Sequence, residues 1–102
     1  MSRLPVFFTR RAQADLVSIS QYIARDDEGT ARRLVDEIGR TCKLLENSPM
    51  RGRPGHVSGT RELVLSKAYI AVYRVAGDQI DILTVRHTAR LWPGAFEDND
   101  VG

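Results

Sequence analysis

The chain has 102 residues, 42% of them hydrophobic and 27% charged, with a formal net charge of +2. That is room for one domain around one core, and too apolar a balance for a disordered chain. Cys42 stands alone, so no internal disulfide exists, and with only His56 and His87 beside it a structural zinc site is excluded.

Val6-Phe7-Phe8 is short, apolar and β-prone, and Pro5 before it suits the first residue of a strand. Thr9 then offers a helix cap. Ala12, Leu16, Ile19 and Ile23 recur at helical spacing and predict a helix running to about Arg25. Asp26-Asp27-Glu28-Gly29 has no periodicity and reads as a turn, after which Thr30 caps a second helix. Its stripe is Ala31, Leu34, Ile38, Thr41/Cys42 and Leu45, ending near Asn47-Ser48-Pro49. The two amphipathic stretches predict an antiparallel hairpin, each burying one face against a second layer.

Met50 to Thr60 changes character: Gly52, Pro54, Gly55 and Gly59 mark an irregular connector. Beyond it the period becomes that of strands. Glu62–Leu65, Tyr69–Val75 and Ile80–Val85 are the β runs, the last two joined by the turn residues Ala76-Gly77-Asp78-Gln79. The expected architecture is α+β, in the order β-α-α-β-β-β: a helical hairpin packed on a mainly antiparallel sheet. One domain over residues 1–96 is expected, followed by a short acidic tail over 97–102. The core should place Leu16, Ile19, Ile23, Leu34, Ile38 and Leu45 against Val72 and Ile82.

Charge is informative by region. Thirteen of the fifteen basic residues are Arg. Residues 50–96 carry seven basic and three acidic groups, whereas the tail holds Glu97, Asp98 and Asp100. Arginine suits planar, bidentate recognition of carboxylate or phosphate, and equally an ordinary solvated surface. Arg61, Lys67, Arg74, Arg86 and Arg90 are candidates to line a face for a polynucleotide or an acidic peptide. Strand parity puts Arg74 with Ile70 and Val72, opposite Tyr69, Ala71 and Tyr73.

His87, with Arg86 before it and Arg90 three residues on, is the group suited to acid–base work at neutral pH. Its plainer reading is a hydrogen-bonding residue at a strand end. Tyr69, Tyr73 and Trp92 offer rings for stacking on bases, or simply pack the sheet and plug its end. Gly52-Arg53-Pro54-Gly55 lacks the Gly-Lys-Ser/Thr ending of a phosphate loop. Cys42 lies on the apolar side of its helix and reads as core. No serine elbow, paired carboxylates or dinucleotide fingerprint is present.

Taken in order, these pieces resemble the RelE/ParE superfamily of toxins from type II toxin–antitoxin modules. Ala12-x-x-Asp15-Leu16-x-x-Ile19-x-x-Tyr22-Ile23 is similar to the superfamily's first helix. Gly52-Arg53-Pro54-Gly55 with Gly59-Thr60-Arg61-Glu62-Leu63 resembles the approach to its sheet, and Tyr69–Val75 and Ile80–Pro93 its last strands and terminal motif. The likeness covers about residues 6–93. It implies a cytoplasmic toxin that inhibits growth, as in plasmid stabilization, until a cognate antitoxin encoded next to it binds and forms a hetero-oligomer.

The superfamily divides over its target. One branch cuts mRNA on the ribosome with basic residues of the sheet and a Tyr or His near the C-terminus. The ParE-like branch poisons DNA gyrase and keeps no recognised nuclease residues. Here Ile70 stands where the nuclease branch often has Arg after the Tyr, and no Tyr follows Tyr73. The Arg-Glu-Leu and Tyr-Arg-Val strands with the His-x-Ala-Arg-x-Trp-Pro ending look closer to ParE-like and StbE-like members. The expectation is a binding toxin with no cofactor or metal, its antitoxin- or target-binding residues drawn from Arg61, Lys67, Arg74, Tyr73, Arg86, Arg90 and Trp92. An mRNA endoribonuclease using His87, Arg86, Arg61 and Arg90 is the alternative, and a non-toxic nucleic-acid-binding module the third.

Overall fold

Pro5 leads into β1 (Val6–Phe8), and Thr9 turns the chain into α1 (Arg10–Ala24). Thr9 stays extended, with φ −64° and ψ 167°, while its hydroxyl accepts from the Ala12 backbone N–H. The same hydroxyl donates to the carbonyls of Ile82 and Leu83, tying the helix start to the middle of the last strand. These statements rest on a computed structural model that describes residues 3–66 and 68–88.

The second helix, α2 (Glu28–Lys43), begins earlier than the sequence suggests. Asp27, not Thr30, is its cap: the Asp27 carboxylate accepts from the Thr30 backbone N–H at 3.1 Å. The hydroxyl of Thr30 accepts from Arg33 instead. A carboxylate at the cap also meets the positive end of the helix dipole, an advantage Thr30 lacks. Glu28 and Gly29 therefore belong to the first helical turn, and the hairpin connection shortens to Arg25–Asp27.

The backbone N–H of Thr30, and then its side chain, hold the Asp27 carboxyl below its ordinary 3.8. A depressed carboxyl contributes stability above its unfolded pKa and loses it as pH falls through the folded value. Asp27→Ala is thus expected to lower the melting temperature at neutral pH. Melting curves of both proteins should converge as pH is taken below 3.8.

A single 3-10 turn at Leu44–Glu46 ends the helical layer, and the chain then enters the sheet through β2 (Arg53–Pro54). The stretch read as a plain connector thus contains a short edge strand, fixed because Gly55 N–H bonds the Thr60 carbonyl across it. Then come β3 (Arg61–Val64), β4 (Tyr69–Ala76) and β5 (Gln79–His87). Gly77, with φ +65°, supplies the left-handed residue of the tight β4–β5 turn. The sheet order is β1-β5-β4-β3-β2, with β1 parallel to β5 and every other pair antiparallel.

The core lies between the hairpin and one sheet face. Ala12, Ile38, Cys42 and Leu45 meet Leu63, Tyr69, Ala71, Tyr73, Ile80, Ile82 and Val85 there. Leu16, Ile19, Ile23 and Leu34 pack against this cluster but remain only partly buried, at its margin. Burial in apolar surroundings pushes the Cys42 thiol up to about 12, which keeps it protonated and inert. Val72 needs correction as a core partner of the helices. It is buried at 4% exposure, yet its parity is opposite to that of Ala71 and Tyr73, and it lies outside the cluster.

One irregularity interrupts the β4–β5 ladder: Val72 faces Thr84 and Tyr73 faces Ile82, which leaves Leu83 as an extra residue. Asp15 of α1 caps this bulge. One of its carboxylate oxygens accepts from the Thr84 hydroxyl at 2.6 Å and from Val85 N–H at 3.0 Å. Asp15→Ala would leave Thr84, 1% exposed, with an unmet donor. The expected cost is about 1–3 kcal/mol in chemical denaturation, with Asp15→Asn recovering part because an amide oxygen still accepts.

Candidate functional site

The basic half of the sequence folds onto two separate places: the segment 49–61 at the β2–β3 edge, and the end of β5. At the first, Tyr73 rises from the middle of β4 through the core, fully buried. Its hydroxyl donates to the Pro49 carbonyl at 2.7 Å and accepts from Gly52 N–H at 2.9 Å. Gly52 is required by this approach. A Cβ there would lie 2.8 Å from the Tyr73 ring and 2.7 Å from the Glu62 carbonyl oxygen. Tyr73 therefore anchors a loop from within and offers no ring to a base or a partner, contrary to its candidacy as a binding residue.

Arg61 is the second anchor. Its guanidinium donates to the Gly52 carbonyl at 2.6 Å and reaches the Met50 carbonyl at 3.5 Å. Arg53 is exposed and pairs with Glu62 at 3.0 Å. Arg51 and His56 stand exposed on the same loop, beside Met50, which is 64% exposed. Sequence reasoning passed over Arg51 and His56 because glycines and Pro54 around them suggested only a connector. The signal was the density of cations within a segment short enough to be pinned.

At the second place, β5 carries Arg86 and His87 side by side. Arg86 is registered with Ile70 and His87 with Tyr69. Successive strand residues point to opposite faces, so the two side chains diverge. The His87 ring meets the Tyr69 ring edge-on, with centroids 5.0 Å apart and planes at 86°. Arg74 lies exposed on the face away from the helices, as parity indicates, in register with Asp81. Lys67, Arg90 and Trp92 lie outside the described residues.

Distances along the sheet separate the two places. Arg61 is registered with Tyr73, and His87 with Tyr69, four residues away on β4. Four strand residues span about 13 Å, and β3 and β5 flank β4 about 10 Å apart. Arg61, Arg86 and His87 thus do not converge on one reacting atom. What the described surface does present is a pinned basic loop beside a sheet edge.

The fold has close counterparts. Y4kP of Sinorhizobium fredii is 44% identical over 91% of this chain and 97% of its own length. Toxin RelE2 of Caulobacter vibrioides is 36% identical over 84% of this chain and 97% of its own. A solved structure of the chromosomal ParDE TA system from P. aeruginosa superposes with a TM-score of 0.76 at 31% identity, covering 83% of this chain and 96% of that one. The family model for the ParE toxin of the parDE type II toxin–antitoxin system matches residues 6–92, nearly the whole described fold and the motifs on it, so the chain belongs to the ParE toxin family.

Proposed function

We propose that this toxin inhibits growth in the cytoplasm by binding its target, DNA gyrase, and that a cognate antitoxin encoded beside it holds it inactive as a hetero-oligomer. The observation that carries the reading is the dispersal of the nuclease candidates. Arg61 is committed to the Gly52 carbonyl, Arg86 and His87 diverge, and Arg61 pairs with the middle of β4 whereas His87 pairs with its first residue. Phosphodiester cleavage needs an acid–base group and charge-stabilising cations within a few ångströms of the same phosphate. A binding toxin has no such requirement.

The antitoxin in this reading is an acidic, amphipathic segment that folds as it binds the basic, partly apolar surface of residues 50–88. Its affinity should fall with rising salt, since exposed cations such as Arg51 and Arg74 contribute through screened charge. The deciding experiment is induced expression with and without the adjacent gene. Growth arrest relieved by that gene, a DNA-damage response and intact mRNA are expected. Arrest accompanied by mRNA cleavage would replace gyrase with the translating ribosome as target.

A further inference from the structure

The outer surface of α2 carries a row of charge that the fold leaves unused. Glu28, Arg32, Asp36 and Arg40 stand four residues apart, all exposed, and their signs alternate along the helix. Residues at this spacing form one ridge on a helix surface. Each has its opposite one turn away, close enough for an ion pair within the helix. None of the four makes an ion pair among the described residues. Beside the ridge, a groove of about 340 Å³ opens between α1 and α2, lined by Ala24, Ala31 and Val35 together with Arg32 and Asp36. Gly39 lies one turn beyond Val35. A Cβ there would meet nothing within 4 Å, so no contact inside the chain calls for a residue that weakens the helix relative to alanine.

We infer that this face of α2 pairs with the α2 helix of a second copy of the chain, antiparallel about a two-fold axis. A two-fold contact sets residue i against j and j against i, so the surface must be complementary to itself. The ridge meets that condition. In antiparallel register Glu28 falls opposite the second copy's Arg40, and Arg32 opposite its Asp36, each contact occurring twice. A parallel pairing in register would set every charge against its like. A uniformly acidic or basic partner would match only half of the row, whereas the chain itself supplies the alternating order in reverse. Ridges of this kind pack side by side at a crossing angle of about −50°, which carries the long side chains of one copy over the groove of the other. Gly39 gives them room there. The pairing uses nothing from residues 50–88, so both copies keep the surface assigned above to the antitoxin.

One helix against one helix is small beside a standard interface, so the dimer should form in the micromolar range. Sedimentation velocity on the free wild-type chain, across that range and at low salt, reads the assembly. The average mass is expected to rise from one chain towards two with concentration, and to fall back as added salt screens the row. A chain that stays monomeric throughout would overturn the pairing.

Two variants test the register. Arg32→Glu sets like charges opposite each other at two of the four contacts and should weaken the dimer at least tenfold. Adding Asp36→Arg to it restores opposite signs at every contact, and should bring the affinity back to within threefold of wild type. Both positions are exposed, and melting temperatures confirm the fold. A dimer indifferent to Arg32→Glu, or one that the double variant does not restore, would sink the assignment. A monomeric free chain whose Arg32→Glu variant loses affinity for the co-expressed antitoxin would give this face to the antitoxin instead. If a variant misfolds, the concentration and salt dependence of the wild type decides.

Discussion

Replacing Tyr73 by Ala is expected to cost about 3–5 kcal/mol of folding stability, as deep aromatic truncations do. The residue is fully buried, so truncation removes core area and leaves a cavity between the sheet and the end of the helical layer. It also strips the Pro49 carbonyl and the Gly52 N–H of their shared partner. Tyr73→Phe separates these effects: the ring remains and only the hydroxyl is lost. Buried groups left without a partner cost about 1–3 kcal/mol, so Tyr73→Phe should fall well short of Tyr73→Ala in urea unfolding. Equal midpoints for Tyr73→Phe and wild type would show that the hydroxyl does not hold the loop. Because the anchored segment carries Arg51 and Arg53, Tyr73→Phe should also weaken antitoxin binding more than its modest loss of stability suggests.

The helical layer was legible because its information is local. Ala12, Leu16, Ile19 and Ile23 on α1, Ala31, Ile38 and Cys42 on α2, and Leu45 in the 3-10 turn that follows keep helical spacing, and all of them join or line the core. Strands β1, β3, β4 and β5 were plain from their β-branched and aromatic runs, whereas β2, two residues among glycines, was not. The start of α2 was misread because Thr30 and Asp27 are both competent caps, and only the geometry of the turn shows which oxygen reaches an N–H. Two further features were illegible because they depend on residues far apart in the chain. Asp15 reaches a bulge 69 residues away in sequence, and Tyr73 reaches a loop more than 20 residues before it. Neither register nor a bulge can be counted from one strand alone. The candidate site suffered most from this. Arg61, Tyr73, Arg86 and His87 are a set only as a composition; the pairings Arg61↔Tyr73, Ile70↔Arg86 and Tyr69↔His87 distribute them along the sheet.

His87→Gln should fold normally and remain toxic. His87 closes the β4–β5 ladder opposite Tyr69, and its ring packs edge-on against a Tyr side chain that is itself 6% exposed in the core. Glutamine retains a hydrogen-bond donor and acceptor at the strand end but cannot shuttle a proton near neutral pH. Loss of an essential general acid or base usually lowers rate by about 10²–10⁴. A ribonuclease relying on His87 would therefore lose both its mRNA cleavage and its growth arrest in this variant. A toxin that acts by occupying gyrase cleaves no mRNA and would keep its growth arrest, because binding calls for no proton transfer at His87. Growth curves of induced wild type and His87→Gln, with melting temperatures to confirm the fold, read the difference directly. A folded, non-toxic His87→Gln protein whose wild type cleaves mRNA would make His87 catalytic. It would also require the cations of a cleavage site to come from positions other than Arg61, whose guanidinium is already bound to the Gly52 carbonyl.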